Sequence, residues 1–187
     1  SDDKKARYGS TSKYILRNED GKVSGILGIT RDVTRDYLVR QQYQREFKYL
    51  FELPENTYAL QNDAIKIGDY IFCGNRGWLI PEGKQNTEEN QKIYAREVIP
   101  LEMSLKAAKT LQTNNEKIIF ITHYPPFNNK IEPSEYTRML EEYGVNIVVF
   151  GHLHGYVNPK MLYNEINGVK YFLTSCDAVK NQLVKID

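Results

Sequence analysis

Two apolar runs that end in histidine constrain this chain more than any other feature. One is KIIFITH at residues 117–123, the other NIVVFGH at residues 146–152. Between them lies PSEYTRMLEEYG, which reads as a helix with Pro133 near its start and Gly144 as its stop. Runs without polar alternation imply a buried sheet, and the strand–helix–strand order is a βαβ signature. Two further runs, DYIFCG and VKYFLTSC, read as additional strands of the same fold. The segments TEENQKIYAREVI and LEMSLKAAKTLQ read as helical, with Thr87 as N-terminal cap. Pro100 lies between them and is expected to kink or split that helix. The expected class is α/β, with βαβ units and a mixed sheet.

The chain has three histidines, and all three follow these runs: His123, His152 and His154. In an open α/β sheet, sites form beyond the carboxyl ends of the strands. If the two strands are neighbours, the three imidazoles share one rim. Such a donor set suits a divalent transition metal such as Mn, Fe or Zn. Gly151 and Gly155 are expected to let the backbone turn sharply there. Pro125 and Pro126 stiffen the loop after His123.

Composition narrows the function classes. Among 187 residues, 41% are hydrophobic and 26% charged, a globular balance. Lys+Arg number 25 against 24 Asp+Glu, a net charge of +1 with no basic cluster, so nothing points to nucleic acid. An anionic substrate would need local positive charge, such as a metal. No apolar stretch reaches membrane-helix length and no signal peptide is visible, so a cytoplasmic location is expected. Cys73 and Cys176, without a CxxC partner, are expected to be buried free thiols. The first residue is Ser, so the chain is expected to be a fragment or processed piece.

Three segments are expected: a hairpin region at 1–34, a connector at 35–54 and an α/β part at 55–187. In the first, SKYILRNEDGKVSGILGITRDVT places two β-rich runs around a turn-forming cluster. In the second, Tyr37, Leu38, Tyr43, Phe47, Leu50 and Phe51 recur at helical spacing. A helix over 35–52 with an uncovered apolar face would pair with a second copy or a complementing chain.

ITHYPP and GHLHG resemble the carboxyl-terminal motifs of the calcineurin-like metallophosphoesterases, and CGNRGW and KIYAREVIP look like a bacterial phosphohydrolase branch of that superfamily. The resemblance runs from about residue 57 to the end. It implies a layered α/β sandwich and hydrolysis of a phosphate ester, in a phosphorylated small molecule or a phosphodiester, by metal-activated water. It also implies two metal ions in the intact family, with His123 and His152 on one and His154 on the other. Tyr124 and Arg76 become candidates for phosphate contact, and Asp177 for the rim.

The family's Asp-x-His, Gly-Asp-x-x-Asp and Asn-His motifs have no counterpart here. Gly68-Asp69 is followed by Phe72 where the second Asp belongs, and Asn75 is followed by Arg76 rather than His. A partial sandwich with at most a partial metal site is therefore expected. The amino-terminal run YILRNEDGKVSGILGITRDVTRDYL, within about residues 5–50, resembles the last hairpin of a PAS sensor domain. This leaves a second reading open: a non-catalytic, PAS-derived interaction or signalling module carrying a phosphoesterase remnant.

Overall fold

A computed structural model describes residues 57–186 throughout, and before them the backbone of residues 9–17 and 23–32 and the single positions 20, 42 and 54. The chain divides into two compact units, Ser1–Ala59 and Leu60–Asp187. In the first, strands β1 (Gly9–Arg17) and β2 (Val23–Asp32) pair antiparallel from Gly9↔Asp32 to Arg17↔Val23. This is the expected hairpin. The expected connector over 35–54 lies outside the described residues, apart from Gln42 and Pro54.

The second unit is built on a six-stranded sheet. Its strands are β3 (Asp63–Ile67), β4 (Tyr70–Asn75), β5 (Lys117–Thr122), β6 (Ile147–Phe150), β7 (Tyr163–Ile166) and β8 (Val169–Leu173). Their spatial order is β3-β4-β5-β6-β8-β7. The four central strands run parallel, and the edge strands β3 and β7 pair antiparallel with their neighbours. The class is thus α/β with a mixed sheet, as the runs predict. The two edge strands are not expected from sequence. Each is short and joined to its neighbour by a tight turn. Gly68-Asp69, where the sequence offered a truncated metal motif, is the two-residue turn between β3 and β4. Gly68 sits at φ +58°, a conformation glycine takes without strain.

Helix α1 (Glu88–Leu111) links β4 to β5, and α2 (Glu135–Glu142) links β5 to β6; a short turn of helix, α3 (Pro159–Leu162), precedes β7. Strands added in one direction through right-handed crossovers place their helices on one face of the sheet. Accordingly, Leu101, Leu105 and Ala108 of α1 and Tyr136 and Leu140 of α2 join one core with Ile71, Cys73, Ile118, Phe120, Val148, Phe150, Tyr171 and Leu173. Across the sheet, Ile119, Ile147 and Phe172 meet only partly buried neighbours, Val184 and Ile186 among them. Ile121 stays 40% exposed there. The continuous apolar runs imply a fully buried sheet. Among the described residues, one face is buried and the other is covered in part.

Helix α1 corrects one half of a further expectation. It is not split, and runs as one helix through Pro100. A proline inside a helix costs about 3 kcal/mol. Full burial of Leu101 and Leu105 just beyond it, at about 1.5–3 kcal/mol each, offsets that cost. Thr87 caps this helix as expected, accepting from Asn90 N–H at 3.2 Å. Helix α2 starts in a capping box between Ser134 and Thr137 and is followed by Gly144 at φ +68°. Of the two thiols, Cys73 is buried as expected, and burial pushes its pKa up to about 12. Cys176 is exposed, because it follows β8 in a turn beyond the sheet. No helix among the described residues is long and apolar enough to cross a membrane.

Two contacts hold α1 and β3 to the parallel strands. Ser104 of α1 is fully buried, accepts from Gly74 N–H at 2.7 Å and lies 3.0 Å from the carbonyls of Asp63 and Gly74. Glu116, buried just before β5, accepts from Lys66 of β3 and from the N–H groups of Thr113 and Asn114. The Lys66 ammonium, with the Asn114 N–H and the Thr113 hydroxyl, holds the Glu116 carboxyl down at about 2. A depressed carboxylate contributes stability that is present above its unfolded pKa, roughly 4.3, and is lost as pH falls toward the folded value. Glu116→Gln should therefore lower the thermal midpoint at pH 7, with the gap to the parent closing between about pH 4.5 and pH 2. A gap that stays constant over that window would refute the assignment. Gly74 is a steric requirement, since a Cβ on it would lie 2.0 Å from the Ile121 carbonyl oxygen across the β4–β5 ladder. Gly74→Ala is expected to cost more than about 2 kcal/mol in denaturant unfolding.

Candidate metal centre

The register of β5 and β6 sets the geometry of the rim. Thr122 and Phe150 are Cα partners, so both strands end at one level. His123 follows directly, and its carbonyl accepts from Gly151 N–H at 3.2 Å, carrying the pairing one step past the strands. Just past β4, the Arg76 carbonyl accepts three donors: the N–H groups of His123 and Tyr124 at 3.1 and 3.2 Å, and the Thr122 hydroxyl at 3.1 Å. Three strand ends are thus tied together beneath the histidines.

The structure brings His123 and His152 together: His152 Nδ1 lies 3.0 Å from His123 Nε2. Tyr124 packs on both rings, with centroids 5.0 Å from His123 and 4.3 Å from His152, and Trp78 packs behind Tyr124 at 5.2 Å. Partial burial lowers the His152 pKa, and the neighbouring His123 and His154 rings lower it further. His152 is therefore a neutral imidazole near pH 7, the form that offers a lone pair.

His154 does not join that pair. Its Nδ1 lies 2.9 Å from Asp177 Oδ1, and its side chain is 64% exposed. The Gly155 N–H bond, aided by His154 and the Ala178 N–H, holds the Asp177 carboxyl below its usual range. Among the described residues, no three His, Cys, Asp or Glu side chains converge on one point.

The other candidates have structural partners. Arg76 lies 4.7 Å over the Trp78 ring and 3.7 Å from Glu97. Asn75 is buried, with its amide directed to the Glu97 carbonyl at 3.2 Å, so it braces β4 against α1. Trp78 closes the aromatic wall behind the histidines. The sequence quotes it within CGNRGW, but a lone tryptophan there gave no sign of which ring it would meet.

The backbone also differs from expectation. Gly151 has no left-handed φ, and its neighbours leave ordinary room for a Cβ, the nearest atom lying at 3.8 Å. The turn is made by His152 at φ +70° and by Gly155 at φ +74°. A non-glycine residue in that region carries about 1–3 kcal/mol of strain. The strand ends hold the imidazole in place against that cost.

Donor chemistry decides what this rim can hold. Two nitrogens bound to one tetrahedral zinc-sized ion at about 2.0–2.1 Å each stand roughly 3.3–3.4 Å apart. His123 and His152 stand at hydrogen-bond distance, 3.0 Å, and would part by a few tenths of an ångström to share a single cation. They do not fit a carboxylate-bridged pair of ions, since the chain supplies no bridging carboxylate beside them among the described residues.

The strain gives a stability prediction. His152→Gly should unfold at a denaturant concentration no lower than the parent, whereas His152→Val should lose about 2 kcal/mol relative to the glycine variant. Equal stability of the two variants would show that the turn relaxes.

Comparison with known proteins adds one match. A family model described as calcineurin-like phosphoesterase matches residues 32–156, about two thirds of the chain. It covers His123, His152 and His154 and extends upstream across the segment expected as a connector. No curated protein and no solved structure shows significant similarity.

Proposed function

The chain belongs to the calcineurin-like phosphoesterase family, and on that premise we propose that it binds one divalent transition cation at His123 and His152 and directs it at a phosphate ester. The observation that carries this reading is the 3.0 Å approach of two imidazole nitrogens at the ends of two paired strands. A cation held there would neutralise phosphate charge and generate a nucleophilic hydroxide near neutral pH. The protein's own contribution is positional. Tyr124 wedges against both rings and limits their rotation. The Arg76 carbonyl ties down the loop that carries His123. The Arg76 guanidinium, more than half exposed and beside Trp78, supplies positive charge for an anionic ester approaching this rim.

A non-catalytic reading is favoured by one observation: among the described residues, no third donor converges on the histidine pair. The two readings separate by experiment. Metal-free protein titrated with zinc in a calorimeter should bind one equivalent, and His123→Ala and His152→Ala should each weaken binding at least about tenfold. A parent chain that binds no zinc overturns the metal reading. Hydrolysis of an aryl phosphate that disappears in His152→Ala supports the enzyme; zinc binding without turnover supports the binding module.

A further inference from the structure

One turn beyond β8 carries a residue that its geometry does not favour. Lys180 and Asn181 stand at φ +54° and +56°, and Gln182 N–H donates to the Val179 carbonyl at 3.0 Å. Two left-handed residues closed by such a bond have the pattern of a type I′ turn, which favours Asn and Gly. Asn181 suits it. Lys180 is strained there, because a Cβ in the left-handed region crowds the following carbonyl oxygen. Glycine would make the same turn freely. What the lysine adds is an ammonium group.

That group belongs to a groove of about 290 Å³. Lys180 and Gln182 line it together with six apolar residues: Leu162 of α3, Leu173 of β8, and Ala178, Val179, Leu183 and Val184 from the turn and its flanks. Leu173 is fully buried and Leu183 fully exposed, so the groove runs from the core to an apolar lip. Among the described residues, no carboxylate lines it and none pairs with Lys180. Loose packing around a turn is the simpler account of such a groove. It gives no reason for a lysine where glycine is unstrained.

Charge and size select the ligand. The volume stands at the low end of ordinary small-molecule sites, which begin at roughly 300 Å³. One ammonium balances one negative charge, and a lysine with a nearby amide offers a donor to each oxygen of a carboxylate. A dianionic phosphate would leave one charge unpaired against apolar walls.

We propose that this groove binds a medium-chain aliphatic carboxylate. Its hydrocarbon chain lies along the six apolar side chains, and its head takes the Lys180 ammonium and the Gln182 amide. None of the three histidines lines the groove, so the site stands apart from the metal reading above.

Octanoate is the probe, added to the full chain in the presence of a chelator so that metal plays no part. In proton–nitrogen NMR spectra it should shift the amide signals of Leu162, Leu173 and residues 178–184 saturably, and acetate should not. Lys180→Gln should weaken octanoate binding at least about tenfold, the loss expected for a charge-assisted bond. Lys180→Gly removes the strain as well as the charge. It should unfold at a denaturant concentration no lower than the parent, yet bind octanoate as weakly as Lys180→Gln. Absence of saturable shifts in the parent overturns the proposal. So does octanol binding as tightly as octanoate, or parental affinity in either lysine variant, because each outcome leaves the ammonium without a role.

Discussion

The parallel pairing of β5 with β6 is the constraint on which the rest of the structure depends. Its register, Ile119↔Ile147 through Thr122↔Phe150, brings two chain segments to one level at their carboxyl ends. A shift of one residue would reverse which side chains face the helices and would part the two histidines. Together with the parallel pairing of β4 with β5 it places α1 and α2 on one face, because right-handed crossovers between strands added in one direction leave no other choice. Core and site therefore share one ladder.

Above that ladder, the rim is assembled by backbone groups more than by side chains. The Arg76 carbonyl gathers three donors from the segment 122–124, and Gly151 N–H reaches the His123 carbonyl. His152 is then held at φ +70°, where no β-strand or helix would leave it. Strain at a residue with a chemical role is a common mark of functional sites. Here it coincides with the contact between the His152 and His123 rings. One face of the sheet is well packed while Ile121 and its neighbours stay partly open on the other, so the rim stands on a half-covered platform.

Much of this was legible from sequence. Apolar runs of four to six residues with helical segments between them mark β4, β5, β6 and β8, because a central parallel strand must bury both its faces. Thr87, Ser134 and Gly144 are local signals, readable because caps act within one turn. The edge strands β3 and β7 were not legible, since their residues are mostly half-exposed and lack a strong period. Pro100 misled for a related reason: propensity describes an isolated helix, and the burial of Leu101 and Leu105 lies outside it.

The amino-acid sequence by itself determined the class of the fold, the family and the positions of three imidazoles after two strands, since those depend on local pattern and spacing. Only the tertiary structure decided which nitrogens meet. It set His123 against His152, turned His154 to Asp177, gave Tyr124 and Trp78 to the wall behind them and left Asn75 to brace a helix. Those pairings join residues roughly twenty to fifty positions apart along the chain. They arise from strand register and the φ of a single histidine, and neither is visible until the strands have paired.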